Sequence, residues 1–414
     1  MGLTKEINLE KGHSMSGKPP DISIIIVNYK VKDYIVLLLK SIKKAQGGLA
    51  IEIFVVDNNS EDDSVEYLSS RFSDVKFIIN NVNEGFGTAN NQALKLASGD
   101  LTLIINPDTV IEENSLSRLK NFMDNNQCCG AAGYRMINFD GAFARECRRS
   151  IPDLKSAFFR VLFLDSLFPK HKRIGKRYLG WRSEFEGHKV DVISGAGMFW
   201  RTSVLKELGG FDEDFFMYGE DDDLCYRIQS TPHHIAYIPS ALLLHFKGES
   251  GRKLSLKYFQ KINEGLLLFF KKHVSENYTF VFRKIISLGY YTRVLIIYLS
   301  LIFSKSISSS KKLKSSIIIV SSKKPSVEIW EKLGEISAEE LQWISVDPKE
   351  ELSDRIRSIQ DSSRAEIKVV FDIESISFES IFEIMENLKG AKINFQFFDP
   401  KENKIVGKAS VIEL

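Results

Sequence analysis

With 414 residues, 43% of them hydrophobic and 27% charged, the chain has the composition of a folded globular protein and exceeds one ordinary core, which excludes a disordered or fibrous class. Its four cysteines, Cys128, Cys129, Cys147 and Cys225, lack paired C-x-x-C spacing, which excludes a disulfide framework or zinc ribbon and reads as reduced, cytosolic thiols. The net charge of +2 hides an uneven distribution: residues 145–182 hold 11 Lys/Arg against 3 acids, 271–314 hold 9 against 1, and 315–414 hold 13 against 19.

Residues 1–20 are charged and lack an apolar run, so they read as a flexible tail and not a signal peptide. Short β-branched runs follow at 22–27, 51–56, 75–79 and 101–105, alternating with helical patterns at 33–45, 62–72 and 88–97. That alternation predicts an α/β fold: right-handed βαβ units around a mostly parallel sheet covered on both faces. Ligands of such sheets bind beyond the carboxyl ends of the strands. Here those ends read "VNYK", "VVDNNS", "NVNEGFG" and "NPDT".

In "TLIINPDT", Pro107 stops the strand and leaves Asp108 just past its end. A carboxylate there can offer oxygen to a hard divalent cation that holds a diphosphate, although Asn-Pro-Asp also makes an ordinary turn. Asp57 ends the second strand and reads either as an Asx-turn or as a contact to a base or ribose.

Residues 150–190 are basic with weak periodicity, which suggests a partly helical excursion over the site. "VDVISGAGMFWR" (190–201) reads as a small-residue strand or turn, and 205–228 as a loop entering a helix. Four consecutive acids at 220–223 open that helix, where its dipole favours them as a solvated first turn. The aromatic neighbours Phe211, Phe215, Phe216 and Tyr218 favour a second reading, a carboxylate raised toward the range of a useful base. His245 closes a pair of strand-like pieces at 233–246 and reads as structural or as a metal ligand.

Residues 280–304 are mostly apolar but carry Arg283, Lys284 and Arg293, a pattern that suits a helix lying on an anionic membrane better than one crossing it, with packing in a core or subunit interface as the other reading. A Lys/Ser-rich linker at 304–316 precedes strands at 317–320, 341–346, 367–371 and 393–398, with helices near 326–338, 349–360 and 377–389. This second, smaller α/β unit has no G-x-G-x-x-G turn, which argues against dinucleotide binding there. The expected organisation is a tail at 1–20, a main domain at 21–275, a basic amphipathic segment and linker at 276–314, and an accessory domain at 315–414.

The segments "ISIIIVNYK", "IEIFVVDNNSEDDSVE", "NEGFGTANNQAL", "GDLTLIINPDT", "SGAGMFWR", "GGFDEDFFMYGEDDDLCYRI" and "HFKGES" occur in the order found in family 2 glycosyltransferases. Over about residues 21–275 the chain resembles that family, and looks most like its bacterial rhamnosyltransferase-type branch. The resemblance implies a GT-A type αβα sandwich that transfers a sugar from a nucleoside diphosphate with inversion. It further implies that Asn28, Tyr29, Asp57, Asn58, Asn83, Gly85, Asn90, Asn106 and Asp108 line the donor site. Asp108 and His245 would hold Mg²⁺ or Mn²⁺, and Asp221, with Glu220, would be the catalytic base. Asn106 stands where the broader family pattern has an acid, and Gly195 and Trp200 would lie on the acceptor side. The C-terminal unit resembles, more loosely, Rossmann-like domains appended to polysaccharide-assembly enzymes.

These features suggest a cytoplasmic enzyme at the inner face of the plasma membrane, using a nucleotide-sugar donor such as dTDP-rhamnose and a glycan or lipid-linked acceptor. An anionic membrane surface would meet 277–314, nucleic acid is not an expected partner, and an oligomer is compatible with the sequence. The alternatives are a non-catalytic sugar-nucleotide-binding scaffold and a nucleotidyltransferase. "VNYKVKDY" lacks the glycine that a triphosphate grip after the first strand would use, which counts against the latter.

Overall fold

The computed structural model describes residues 5–7, 19–247, 256–273, scattered positions between 284 and 299, 315–335, 338–346, 352–362, 366–408 and 410–414. In chain order the first part contains β1 (Lys5–Ile7), β2 (Ile22–Asn28), α1 (Lys32–Ala45), β3 (Ile51–Asp57), α2 (Ser64–Ser69), β4 (Val75–Ile79) and α3 (Phe86–Leu96). Next come β5 (Leu101–Ile105), β6 (Thr109–Ile111), α4 (Ser115–Asn125), β7 (Cys129–Asn138), β8 (Arg148–Arg149), α5 (Leu154–Val161) and α6 (Leu164–Leu167). The series ends with β9 (His188–Val190), β10 (Val192–Ile193), β11 (Gly197–Arg201), α7 (Thr202–Glu207), α8 (Glu220–Arg227), β12 (His234–His245) and α9 (Leu256–His273).

Ten of these strands form one sheet in the order β1-β4-β3-β2-β5-β11-β7-β12-β6, with β9 on β12. The βαβ block β4-β3-β2-β5 is parallel throughout, as is β7 with β12. β11 runs antiparallel between β5 and β7. β2 reads as an unbroken apolar run because every one of its residues is buried. α1 buries its Tyr34, Ile35, Leu38 and Ile42 side and ends on Lys43 and Lys44, charges that suit a helix C-terminus.

The carboxyl ends of β2, β3 and β5 fall together because β2 pairs in register with both neighbours, Asn28 opposite Asp57 and Ile26 opposite Ile105. The two strand-like pieces expected at 233–246 are one strand, β12, with a register break between Ile238 and Leu242. Pro239 lies in that break, where its missing N–H costs no ladder bond. Within the expected tail, Lys5–Ile7 instead pairs antiparallel with β4 at the sheet edge. The four cysteines are free.

A second sheet has the order β14-β13-β15-β16-β17-β18, built from β13 (Ser315–Ser321), β14 (Ala338–Ser345), β15 (Glu366–Asp372), β16 (Ile393–Asp399), β17 (Lys404–Gly407) and β18 (Ser410–Glu413). Its first four strands are those expected from sequence and run parallel, and the antiparallel hairpin β17–β18 is an addition to them. Phe397 on β16 packs against Phe139 and Phe246 of the first unit, with ring centroids 6.3 and 5.7 Å apart. Around that contact Arg135 meets Glu386, Lys404 Nζ lies 2.8 Å from Asp33, and the Glu113 carboxylate accepts the N–H groups of Phe378 and Glu379 at the start of the helix Phe378–Asn387.

Most of 280–304 lies outside the described residues. Among its described positions Leu288, Leu295 and Ile296 are exposed. No helix among the described residues is long and apolar enough to cross a membrane.

Candidate active site

The loops after β2, β3 and β4 are stitched into one wall. Asn28 Nδ2 donates to Asp57 Oδ1 at 2.7 Å and to Ser60 Oγ at 3.0 Å, while the Ser60 N–H reaches Asp57 Oδ2 at 3.1 Å. One Asp57 oxygen therefore holds its own turn and the other ties β3 to the end of β2. Asn58 bridges the next two loops: its Nδ2 donates to Asn83 Oδ1 at 3.0 Å and to the Gly85 carbonyl at 3.2 Å, and its Oδ1 accepts from Asn80 and from the Glu84 N–H. Tyr29 follows β2 half-buried, with Lys30 Nζ 5.5 Å from its ring centre.

Gly85 sits at φ +84°, and a Cβ there would fall 2.6 Å from the Phe216 carbonyl, which accepts the Phe86 N–H at 2.9 Å. Only glycine combines that left-handed backbone with so close an approach. One turn into α3, Asn90 donates to the Phe86 carbonyl at 2.8 Å, and its buried Oδ1 has no partner among the described residues.

Past the end of β5, the Asn106 N–H donates to the Ala196 carbonyl at 3.2 Å. The next residue of that turn, Gly195, donates its N–H to Asp221 Oδ2 at 3.1 Å. The turn at 194–196 thus joins the Asn-Pro-Asp corner to the first turn of α8. On the other side of the corner, β6 pairs with β12 so that Thr109 lies opposite His245. His245 Nε2 comes within 3.4 Å of Asp108 Oδ1, and the Phe246 N–H donates to the Asp108 carbonyl at 3.0 Å.

One carboxylate oxygen and one imidazole nitrogen facing each other suit a divalent cation that takes its remaining ligands from diphosphate oxygens and water. An all-protein cage does not fit: among the described residues no group of three or more His, Cys, Asp and Glu could hold a metal ion.

The four acids at 220–223 are not a solvated turn. Glu220, Asp222 and Asp223 are buried, and each acid has its own surroundings. Asp223 meets Arg227 Nε at 2.8 Å and His273 Nε2, at the end of α9, at 2.6 Å. Both oxygens of Asp222 accept from one Arg177 nitrogen, Nη2, at 2.7 and 2.6 Å, and Asp222 lies 3.3 Å from Arg149. Burial opposes its ionisation, but the Arg149 and Arg177 charges hold it below the usual carboxylate range.

Asp221 is paired with Arg149 and accepts the Asp222 N–H at 2.8 Å on its other oxygen. Glu220 Oε2 has no partner among the described residues; burial, with the Asp221 and Asp222 charges beside it, pushes its carboxyl up to about 8. The short β8–β10 ribbon sets Arg149 opposite Val192, two residues before the 194–196 turn.

The structure therefore gathers Asn28, Asp57, Asn58, Asn83 and Gly85 into one wall, links Asn106, Gly195 and Asp221 through one turn, and pairs Asp108 with His245. Trp200 is corrected: it lies mid-strand in β11, opposite Thr102 and Ala131, and is fully buried, so it belongs to the core and lines no acceptor surface. Arg149, Arg177 and His273 were not singled out from sequence. The signal that would have found the arginines is the acid row itself, since buried carboxylates need counter-charges and the nearest basic run is 145–182.

Residues 23–208 match the family described as Glycosyl transferase family 2. The N-acetylglucosaminyl-diphospho-decaprenol L-rhamnosyltransferase of Mycobacterium tuberculosis is 26% identical over 240 residues, 55% of this chain and 77% of that protein. Rhamnosyltransferase WbbL of Escherichia coli K12 is 25% identical over 246 residues, 58% of this chain and 88% of that protein. The crystal structure of S. aureus TarS 1-349 superposes with a TM-score of 0.43 at 18% identity, covering 66% of this chain and 71% of that one.

Proposed function

We propose that this chain, a glycosyltransferase with a family 2 domain over residues 23–208, moves a deoxysugar such as rhamnose, with inversion, from a nucleoside diphosphate to a hydroxyl of a lipid-linked glycan acceptor. The similarity to two rhamnosyltransferases supports the donor class. The product would serve cell-surface polysaccharide assembly at the inner face of the plasma membrane. Residues 21–275 would carry the transfer and 315–414 would form an accessory unit. The observation that carries this reading is the acid row: one carboxylate, Asp221, is fixed by Arg149 and the Gly195 N–H beside the turn that leads to Asn106, while its neighbours are neutralised or buried.

Asp221 accepts the proton of the acceptor hydroxyl as that oxygen attacks the anomeric carbon. Its two oxygens are already oriented, one by Arg149 and Gly195, the other by the Asp222 N–H, so little reorganisation accompanies the transfer. Asn28, Asp57 and Asn58 shape the wall against which the nucleoside lies, and Asn90 Oδ1 offers an unused acceptor beside it. Asp108 and His245 would hold Mg²⁺ or Mn²⁺, which when bound offsets the charge of the departing diphosphate. A single displacement with a base and no protein nucleophile inverts the anomeric centre.

The test is a panel of nucleoside diphosphate sugars screened by thermal shift with Mn²⁺, since a ligand that binds only the folded chain raises its apparent stability. One deoxysugar nucleotide is expected to stand out, and its transfer product to show the inverted anomeric configuration by NMR. A panel in which no sugar nucleotide shifts the transition, with or without metal, would refute the reading.

A further inference from the structure

Outside the site, one surface left unexplained is the excursion formed by α5, α6 and the chain up to Arg182. Large apolar side chains face outward there: Phe158 on α5 and Leu162 just past its end are each 48% exposed, and Leu167 and Phe168 at the end of α6 are 69% and 52% exposed. Soluble surfaces rarely gather such groups without a partner. Lys155, Lys170, Lys172 and Arg173 are exposed on the same excursion. The only acid between residues 154 and 182 is Asp165, and it is buried. The exposed charge of the patch is therefore of one sign.

The excursion is built to hold this shape. An Asp153–Ser156 capping box starts α5, and Lys176 reaches back to Asp153 at 2.6 Å. Arg148 holds the carbonyls of Arg182 and Ser183, each at 2.7 Å, and Arg177 turns inward to grip Asp222. An excursion that turns Arg148 and Arg177 inward and shows Phe, Leu, Lys and Arg173 to solvent has its outward face determined by these anchors.

We infer that the α5–α6 excursion docks on an anionic lipid bilayer, with Phe158, Leu162, Leu167 and Phe168 entering the headgroup boundary and the surrounding lysines and arginine meeting lipid phosphates. Apolar groups ringed by cations are the chemistry of interfacial segments, and basic residues there respond to the negative surface potential of the leaflet. A protein partner of matching charge would also meet four unpaired apolar side chains, but the absence of any exposed acid in the patch favours a uniformly anionic surface. The consequence for the site follows from Arg177: it is part of the docked excursion and holds Asp222, the residue next to the proposed base, so docking sets the acid row at the bilayer surface. The purpose of the patch rests on the proposed lipid-linked acceptor; its geometry does not.

The test is flotation of the full chain with vesicles of phosphatidylcholine alone and of phosphatidylcholine mixed with phosphatidylglycerol. The chain is expected to float with the anionic vesicles only and to be released by salt. The variant Lys170→Gln/Lys172→Gln/Arg173→Gln should lose about a hundredfold in vesicle affinity, from three basic residues worth roughly a factor of five each. Leu167→Glu/Phe168→Glu should also stop floating, with both variants keeping the wild-type thermal transition and the wild-type shift with donor. Flotation unchanged in both variants, flotation lost only when Arg283, Lys284 and Arg293 are neutralised, or retention of the chain by nucleic acid but not by vesicles would each overturn the inference. Because vesicle binding is read without sugar transfer, a failed donor panel leaves this result intact, and a failed flotation leaves the transfer reading intact.

Discussion

The two sheets share a parallel α/β plan and differ in what lies beyond their strand ends. In the first, Asn28 and Asp57 hold each other and Ser60, but Asn90 Oδ1 has no partner among the described residues and Asp108 faces His245 at 3.4 Å. In the second, the equivalent polar groups are consumed: Ser321 Oγ donates to the Lys323 carbonyl at 2.6 Å and accepts from Trp343 at 3.0 Å, Asp372 holds a turn through Ser375 at 2.6 Å, and Asp399 is paired with Lys40 of α1. Lys44 of the same helix reaches the carbonyls of Ile373 and Ile376. α1 of the first unit therefore covers the place where a ligand of the second sheet would bind. In the second sheet a polar strand end therefore marks contact with the neighbouring unit and not a candidate ligand site.

The contrast breaks most sharply at Asp221. Asp221→Asn is expected to lower kcat/KM for transfer by about 10²–10⁴-fold, the usual contribution of a positioned base, while donor binding persists. Unchanged turnover would leave the first sheet's acid row as structural as the second sheet's. Next in size is Arg177→Met, which removes both side-chain hydrogen bonds that Arg177 gives Asp222 and should cost about 3–5 kcal/mol in urea unfolding, against about 0.2–1 kcal/mol for Arg71→Ala at the partly exposed Glu402 pair between the units.

Phe397→Ala sharpens the comparison from the other side. It should cost about 3–5 kcal/mol by opening a cavity against Phe139 and Phe246, and because the Phe246 N–H holds the Asp108 carbonyl it should also raise the metal concentration needed for half-maximal donor binding. A loss of stability with no change in metal requirement would confine the second unit to a structural role.

A last effect is expected in pH dependence. Glu220 is raised from 4.5 to about 8, so between those values the folded chain holds a proton that the unfolded chain has released, and stability falls as pH rises through that window. Glu220→Gln should flatten the decline in Tm between these two pH values. An identical slope in the variant would assign the decline to other groups.

Much of the first unit was legible because its signals are local. Pro107 ending β5, the glycine of "NEGFG" at positive φ, and the apolar runs of β2 and β5 each follow from neighbours in sequence. Asp57 shows the limit of that reading, since the Asx-turn and the ligand contact draw on the same carboxylate, and the turn is what the chain itself displays. Trp200 was misassigned because its small-residue context, Ser-Gly-Ala-Gly, resembles a loop, whereas the pairing of β11 with both β5 and β7 buries it. The Arg149–Asp221 and Arg177–Asp222 pairs span tens of residues, and no periodicity encodes a contact that only the sheet and ribbon topology creates. The cover that α1 places over the second sheet was hidden for the same reason.

The most direct measurement is calorimetric titration of the best donor from the panel into wild type, Asp108→Ala, His245→Ala and Asp221→Asn, with Mn²⁺ and with chelator. The expected result is metal-dependent binding that Asp108→Ala and His245→Ala abolish and Asp221→Asn preserves. Donor binding of equal strength with chelator, or indifferent to Asp108 and His245, would contradict the account.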